Sequence, residues 1–255
     1  MGSQWTYSVT HYDKSNSWAA QVITTAVEAI PVFTDTSGEQ INTCTVEISA
    51  NKGHYIREQR ASESGFPTVI DHNDRIRIIF DDGVNTPYNQ VFEVVKKIPV
   101  KTKSGGTTMR IDCEGLERHL QKMKYIKQFY FATPVEAITD LIAYYSSNKT
   151  SDMPTITLGV NQLPVSGIHA FDWGINEDSI YNRIKELVDL MGSAAGLGGI
   201  LDFFDFRFTY SGVNVTDITL DIFSSGSPSV GSIITINADA INTGDESAGI
   251  DESEA

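Results

Sequence analysis

The sequence predicts an α+β protein with two mainly antiparallel β domains, each a small barrel or sandwich, and a helical region inserted between them. Three observations predict this class. Between residues 41 and 114, apolar residues alternate with polar ones, the period of strands with one buried and one wet face. Two segments in the middle of the chain carry apolar residues at helical spacing. Aromatic and β-branched runs typical of strands return after residue 200.

These patterns divide the 255 residues into five segments. In chain order they are an N-terminal segment at 1–40, a first β domain at 41–127, a helical middle region at 128–175, a helix with the second β domain at 176–243, and an acidic tail at 244–255. A chain of this length buries a sizeable core, whether it forms one large domain or two ordinary ones.

The N-terminal segment predicts a helix over 15–31, because apolar residues lie near one helical face and Pro31 ends the pattern. The Thr and Val content of this stretch would also suit a strand. The predicted helical face is made of Trp18, Val22, Ile23, Ala26, Val27 and Ile30.

The first β domain is predicted from alternation, with "DDG" at 81–83 and "KSGG" at 103–106 as turns. Arg75 and Arg77 fall in the outward phase and are expected on the wet face. The inward phase contains Cys44, Val46, Ile48, Ile76, Ile78, Phe80, Met109, Ile111 and Cys113.

Two helices are predicted next. A short one over "GLERHLQKM" closes the first β domain, with Leu116, Leu120 and Met123 on one face. The other covers "TPVEAITDLIAYY", where Thr133 is the N-cap residue and Glu136 completes a capping box.

A third helix is predicted over "WGINEDSIYNRIKELVDLMG". Asn176 or Asp178 is expected to cap it and Gly192 to end it. Three strand-like runs follow: "ILDFFDFRFTY", "DITLDIFSSG" and "GSIITINADAI".

The formal net charge of −14 disfavours a general nucleic-acid binder, since Lys and Arg total 19 against 33 Asp and Glu. The charge is also uneven. Residues 52–127 contain 14 basic and 10 acidic side chains, whereas residues 128–255 contain 4 basic and 18 acidic ones. Such asymmetry fits a protein that presents different surfaces to different partners or to a channel.

Two cysteines give neither a disulfide framework nor a CxxC metal pair. Apolar runs are too short to span a bilayer, and the first residues lack the pattern of a secretory signal. We therefore expect folding in a reducing cytoplasm.

The candidate catalytic and binding motifs of the sequence have simpler structural interpretations. "GSAAGLGG" at 192–199 follows a helix and precedes a strand, the reverse of a phosphate loop, so it is interpreted as a helix end and turn. Cys113 and His119 would suit a nucleophile and base, but Cys113 lies in the inward phase of a strand and is expected in the core. The five histidines, His11, His54, His72, His119 and His169, show no metal-ligand spacing.

Carboxylates come in close couples, as a glycosidase would require, but none shows a sign of a raised pKa. Asp81 and Asp82 before Gly83 are more simply a turn. The other couples are Asp202 with Asp205 and Glu177 with Asp178.

Aromatic residues cluster in "YIKQFYFATP" and "DFFDFRFTY". With Lys124 and Lys127 the first cluster could stack bases, but a core or subunit interface suits an acidic chain better. The sequence thus names no catalytic, cofactor-binding or metal-ligating residue.

The order and phrasing of "IDHNDRIRIIFDDG", "QVFEVVKKIPV" and "TTMRIDCEGLERHL" resemble the baseplate or tail-tip hub proteins of tailed bacteriophages, including the late-control family. "TPVEAITDLIAYY" and "EDSIYNRIKELVDLMGSAAGLGGILDFFDFRF" resemble the inserted helical region of that family and the helix that leads into its second tube-like sheet. The similarity covers most of residues 41–240.

The resemblance implies two tube-like β domains per chain and a homotrimer, in which a pseudo-sixfold ring joins the sixfold tail tube to a threefold spike or tip. Implied partners are a tail tube or distal tail protein, a spike or tail-tip protein and a tape measure protein. DNA would pass through the ring without specific binding, and no cofactor is implied. The implied location is the virion tail, after assembly in the host cytoplasm.

The acidic second half leads to the hypothesis of an anionic lumen, to which Asp202, Asp205 and Asp217 contribute. Many hubs carry a lytic or spike-like extension, and "NTGDESAGIDESEA" is too short and polar to be one. Two alternatives remain open. One is a tail-associated peptidoglycan hydrolase that uses one of the carboxylate couples. The other is a host-surface binding module with an exposed cleft.

Overall fold

The fold is α+β with mainly antiparallel sheets, as predicted. The computed structural model describes residues 5–34, 40–49, 70–101, 107–126, 129–163, 171–173, 178–194, 204–210 and 215–224. Within these ranges the strands do not close into a barrel by edge pairing, because the larger sheet has two distinct edge strands.

The larger sheet has seven antiparallel strands in the order β2-β1-β5-β6-β7-β4-β3. Strands from residues 6–34 and from residues 43–115 belong to this one sheet. Their bounds are β1 Thr6–Asp13, β2 Ala19–Val22, β3 Val32–Thr34, β4 Thr43–Ser49, β5 Arg75–Asp81, β6 Tyr88–Lys101 and β7 Thr107–Gly115.

This sheet curls around its own core. Val9 of β1 and Val46 of β4 are fully buried in one apolar cluster, although three strands separate β1 from β4 in the sheet order. The connection between β2 and β3 runs between them, since the Ile23 amide donates to the Val9 carbonyl and the Glu28 amide to the Glu47 carbonyl. The curled sheet therefore buries the inward phase predicted from alternation.

The helix predicted over 15–31 is wrong. This stretch forms β2 between two short 3₁₀ turns, Lys14–Asn16 and Thr24–Ala26. Ser17 and Trp18 take left-handed backbone conformations, with φ of 52° and 64°, which no α-helix contains. Of the stretch that would also suit a strand, only Ala19–Val22 forms one.

The rest of the described chain forms a second unit of helices and short sheets. Helices α2 and α3 pack with a three-stranded sheet of order β10-β14-β13, in which β10 and β14 are parallel. Two-stranded pairs, β8 with β12 and β9 with β11, complete it. The bounds are α1 Arg118–Lys122, β8 Lys124–Tyr125, β9 Phe129–Ala132, α2 Pro134–Asn148, β10 Thr155–Asn161, β11 Phe171–Trp173, β12 Asp178–Ser179, α3 Ile180–Ala194, β13 Phe204–Tyr210 and β14 Asp217–Ser224.

Helix α2 begins as predicted. The Glu136 amide donates to Thr133 Oγ1 at 3.2 Å, and Glu136 Oε2 accepts from the Thr133 amide at 2.8 Å. This capping box satisfies two backbone donors that a helix start leaves without intrahelical partners.

Helix α3 differs from its prediction at both ends. Ser179, and not Asp178, caps it, because Ser179 Oγ accepts from the Asn182 amide at 3.1 Å. Asp178 instead accepts from the Asn182 side chain at 2.8 Å. Helix α3 runs to Ala194, so Gly192 does not end it. Residues 195–199 of the glycine-rich stretch and the strand predicted at 231–241 lie outside the described residues.

Candidate functional surfaces

Two features of the fold could serve an assembly: a polar junction that fixes the second unit against the seven-stranded sheet, and a charged face of the three-stranded sheet. At the junction, Lys14 Nζ lies 2.8 Å from Asp152 Oδ2, and Gln90 Nε2 donates to the Phe208 carbonyl at 3.1 Å. The Arg77 guanidinium lies 5.3 Å from the ring centroid of Tyr210.

Arg75 is the centre of the junction. Its side chain is fully buried, with Nη1 donating to the Val215 carbonyl at 2.7 Å and Nη2 to the Asp152 carbonyl at 3.1 Å. The guanidinium also lies 4.0 Å from the Trp18 ring centroid. Burial lowers the pKa of Arg75 to about 10, while the charge of Glu93 acts in the opposite direction. A planar fork suits two carbonyls and an aromatic face at once, which a lysine ammonium does not.

Buried ionic contacts continue from Arg75 to helix α1. Glu93 lies opposite Arg75 in the β5–β6 ladder and is 2 % exposed. His119 Nε2 lies 2.8 Å from Glu93 Oε2, and Arg118 Nη1 lies 3.7 Å from Glu93 Oε1. Burial raises the pKa of Glu93, but the His119 hydrogen bond and the nearby positive charges lower it below its ordinary value. Glu93 therefore links the junction to α1 as an anion.

The three-stranded sheet has an apolar face and a polar face. Its apolar face packs on α2 and α3 through Ile156, Phe206, Phe208, Ile218, Leu220 and Ile222. Because side chains alternate along a strand, the residues between these point to the other side. We call this side the polar face. It consists of Thr155, Thr157 and Gly159 of β10, Asp205, Arg207 and Thr209 of β13, and Asp217, Thr219, Asp221 and Phe223 of β14.

Asp221 organises the polar face. Its Oδ1 accepts from the Val160 amide at 2.9 Å, beside an irregularity in the β10 register, and its Oδ2 accepts from Thr209 Oγ1 at 3.1 Å. A Cβ on Gly159 would lie 2.3 Å from Asp221 Oδ1 and 2.4 Å from Thr219 Cγ2, so a larger residue there would displace one or both of these side chains. This face is thus a fixed, hydrogen-bonded surface rather than a set of independent side chains.

Arg207 gives the polar face its one described cation. Its Nε lies 3.9 Å from Asp221 Oδ2, and its guanidinium lies 5.6 Å from the Phe223 ring centroid. The face contains three carboxylates, those of Asp205, Asp217 and Asp221, within the part of the chain that the structure describes. Its described charge is therefore negative.

Cys113 is buried in the core, where a catalytic nucleophile could not reach a substrate. Cys113 is 3 % exposed on the inner face of the curled sheet, and burial raises its pKa well above the usual value. His119 is hydrogen-bonded to Glu93. The expectation that Cys113 belongs to the core is confirmed.

The turn interpretation of Asp81 and Asp82 is also confirmed. Asp81 Oδ1 accepts from the Gly83 amide at 2.7 Å, and Asp82 Oδ1 accepts from the Val84 and Asn85 amides at 2.9 and 2.7 Å. Those amide hydrogen bonds lower the pKa of Asp82, whereas a general acid needs a raised one. Gly83 has a φ of 71°, which favours glycine.

The remaining carboxylates divide between described and undescribed residues. Asp205 accepts from the Phe206 amide at 2.7 Å on β13, and Asp178 accepts from the Ser179 amide at 2.6 Å. Asp202 and Glu177 lie outside the described residues.

Three of the five histidines are described. Besides His119, His11 Nε2 lies 2.8 Å from Asp74 Oδ2 in the sheet, and His72 Nδ1 lies 2.8 Å from the Val95 carbonyl. Across the described ranges no group of three His, Cys, Asp or Glu side chains could hold a metal ion. His54 and His169 lie outside them.

The second aromatic cluster lies in the core between the helices and the three-stranded sheet, as the core interpretation expects. Its members Phe206, Phe208 and Tyr210 are buried there beside Tyr181. In the first cluster, Tyr125 is buried and donates to Asp140. Lys127 lies outside the described residues. No described helix is both long and apolar enough to cross a bilayer.

Sequence reasoning missed Arg75 and Trp18. Alternation predicts Arg75 on the wet face, and helical spacing predicts Trp18 on a helical face. Alternation cannot reveal a second unit that covers part of a sheet's outer side, so Arg75 looks like any exposed strand cation. The available signal is weak: an aromatic residue of a type that is often buried, Trp18, could pair with a basic residue within a strand, Arg75.

Comparison with solved structures finds similarity, at low sequence identity, to a tail protein and to type VI secretion proteins. A tail protein from Neisseria meningitidis is 10 % identical with a TM-score of 0.46, over 86 % of this chain and 51 % of that one. An Escherichia coli type VI secretion component, described as similar to the bacteriophage T4 tail proteins gp27 and gp5, is 7 % identical with a TM-score of 0.39, over 86 % and 45 %. A chain of a Francisella PdpA–VgrG complex is 10 % identical with a TM-score of 0.41, over 95 % of this chain and 33 % of that one.

The chain thus spans between a third and about half of the length of these proteins. No family model matches it, and no curated protein matches it.

Proposed function

We propose that this protein is a structural hub of a phage tail, at the baseplate or tail tip, and not an enzyme. Three copies would form a ring from two tube-like β domains per chain, join the sixfold tail tube to a threefold spike or tip, and line the DNA channel. The two tube-like domains are proposed at 41–127 and 176–243, as in the division of the sequence, with β10 of the middle region adding a strand to the sheet of the second. Residues 6–34 supply strands to the sheet of the first.

The junction is the observation that carries this proposal. A ring wall must hold two sheets in a fixed relation, because any change of angle between them changes the diameter of the ring. Arg75 provides such a constraint, with two hydrogen bonds and a ring contact in a site without solvent exposure. Gln90 and Lys14 add contacts on either side. A catalytic cleft would instead place its polar groups where a substrate can reach them.

The polar face is proposed to line the channel. Its described carboxylates would repel DNA phosphates, and its threonines offer hydroxyls without positive charge. Asp221 is held by Val160 and Thr209, so its negative charge stays at a fixed place. DNA would then pass without binding, which is the behaviour a channel needs. The hypothesis of an anionic lumen also includes Asp202, which lies outside the described residues.

The proposed partners are a tail tube or distal tail protein, a spike or tail-tip protein and a tape measure protein. The proposed location is the virion tail, after assembly in the host cytoplasm. The proposed partners are those of the class that the sequence resembles, and each can be tested by co-purification with this chain.

Native mass spectrometry across a concentration series tests the ring. We expect a species at three times 28.0 kDa. A strict monomer at every concentration, both alone and with a tube or spike partner, would contradict the proposal. A zymogram on cell wall is the matched enzymatic test, since clearing by the purified chain would favour the hydrolase instead.

A further inference from the structure

Strand β10 forms an open edge of the three-stranded sheet. Among the described residues, β14 lies on one side of β10 and no strand lies on the other. Thr157 and Gly159 are exposed at this edge, and Val160 is 56 % exposed. An edge of this kind presents a row of backbone donors and acceptors to any strand that can reach it.

The opposite edge of the same sheet, β13, is covered by the seven-stranded sheet. Gln90 donates to the Phe208 carbonyl at 3.1 Å, and the Arg77 guanidinium lies 5.3 Å from the ring centroid of Tyr210. The middle strand, β14, has a neighbour on each side. A further strand can therefore join this sheet only beside β10.

The chain leaves β14 at the end of the sheet where β10 also ends. The two strands are parallel, and the Ser224 amide donates to Gln162 Oε1 at 2.6 Å just beyond β10. Residues 225–230, SGSPSV, are mostly of turn-forming types. A strand on the far side of β10 lies about 10 Å from β14, and a chain of this length spans up to roughly 20 Å. The residues after 230 can thus reach the open edge, and they would run antiparallel to β10.

Residues 231–241, which lie outside the described residues, have the pattern that this edge requires. From Ile234 to Asp239 the sequence is ITINAD, in which apolar and polar residues alternate strictly. The sheet is divided in the same way, since one side packs on α2 and α3 and the other is the polar face. Alternation would place Ile234 and Ile236 near the half-buried Leu158, and Asp239 on the polar face.

We propose that residues 231–241 dock on the open edge of β10 as an antiparallel fourth strand of the same chain. Their isoleucines would extend the apolar face of the sheet, and the exposed fraction of Val160 would fall. The docked strand would also close an edge to which strands of other copies could otherwise add. This inference concerns a single chain and does not rest on the proposed hub function.

Hydrogen–deuterium exchange of the full chain, followed by mass spectrometry over a dilution series, tests the docking. We expect the amides of residues 233–240 to exchange as slowly as those of β13 and β14, because ladder hydrogen bonds protect them. This protection should stay unchanged on dilution, since the partner strand belongs to the same chain. Native mass spectrometry of the same samples reports the number of copies, so the ring and the docked strand can fail separately.

Two pairs of variants locate the segment. Ile236→Pro removes a backbone donor from the proposed strand and should speed exchange, on the order of tenfold or more, in both 233–240 and the edge amides of β10. Ala248→Pro, in the acidic tail, is its control and should change neither. Val160→Asp should also speed exchange of 233–240, because the segment would bury this side chain. Val84→Asp, at a valine that is 79 % exposed after β5, should have no such effect.

Three results would overturn the proposal. The first is exchange of 233–240 at the rate of an unfolded chain at every concentration. The second is protection that vanishes as oligomers dissociate, which would assign the edge of β10 to a strand of a second copy. The third is a Val160→Asp protein in which 233–240 exchanges as slowly as in wild type, which would place the segment elsewhere. If Ile236→Pro fails to fold, the wild-type exchange and Val160→Asp still decide.

Discussion

Replacing Arg75 with Met tests whether the junction holds the two units together. Met matches the aliphatic stem of Arg, so it keeps that part of the packing while removing the guanidinium. The Val215 and Asp152 carbonyls, now 2.7 and 3.1 Å from the guanidinium, would lose their donor, and the Trp18 ring would lose its cation.

The expected loss follows from three contributions. The buried Val215 carbonyl left without a donor costs about 1–3 kcal/mol, and the Asp152 carbonyl, which belongs to an exposed residue, costs about 1 kcal/mol. A cation over an aromatic ring is worth about 2 kcal/mol. Against this, removal of the buried charge relieves about 3 kcal/mol, the free energy that corresponds to lowering its pKa to about 10. The free energy of unfolding should therefore fall by about 2 kcal/mol, a large share of the usual stability of a domain.

Urea unfolding followed by tryptophan fluorescence measures this change. Arg75→Lys is the matched control, since it keeps the charge but loses the fork, and it should be destabilised as well. A double-mutant cycle with Trp18→Leu should give a coupling of about 1–2 kcal/mol. An Arg75→Met protein within about 0.5 kcal/mol of wild type, with no coupling to Trp18, would refute the idea that this arginine fixes the junction.

Three further predictions concern acid sensitivity, the polar face and a helix cap. The folded-state pKa of Glu93 lies below its unfolded value, so its stabilising effect is present above the unfolded pKa and is lost as pH falls through the folded pKa. The free energy of unfolding, measured between pH 6 and 3, should therefore fall less steeply in Glu93→Gln than in the wild type. Equal slopes would contradict this. Gly159→Ala should destabilise by about 1–3 kcal/mol, because its Cβ would collide with Asp221 Oδ1 and Thr219 Cγ2, and the part of the loss that is due to Asp221 should disappear from thermal unfolding in an Asp221→Ala background. Thr133→Ala should cost about 1 kcal/mol through loss of the α2 capping box, while Thr139→Ala on the exposed side of the same helix serves as the control; equal losses in chemical denaturation would argue against the cap.

Sequence reasoning succeeded where a local pattern is decided by local physics. The strands at 43–49, 75–81 and 107–115 alternate because one face is buried, and the start of α2 follows from hydrogen bonds within four residues. These features do not depend on distant parts of the chain, so their patterns predicted them.

Sequence reasoning failed where contacts between distant parts of the chain decide the local structure. Residues 15–31 have a helical spacing of apolar groups, but Ile23 is buried against the curled sheet and the half-buried Trp18 packs against Arg75, which strand and turn geometry allow. The helix start at Ser179 in place of Asp178 reflects a choice between neighbouring polar residues that only the backbone path settles. The polar face could be predicted only as an excess of acid in the second half of the chain, because its members come from three strands.

The parallel pairing of β10 with β14 has a consequence for synthesis. The seven-stranded sheet has all its strands once residue 115 has left the ribosome, so it can fold while the rest is still being made. Strand β10 emerges soon afterwards but must wait for β14, and Arg75 must wait 140 residues for the Val215 carbonyl. Long-range closure of this kind is slow, so during translation the apolar side of α2 and the unfilled site around Arg75 are exposed to chaperones and to other nascent copies.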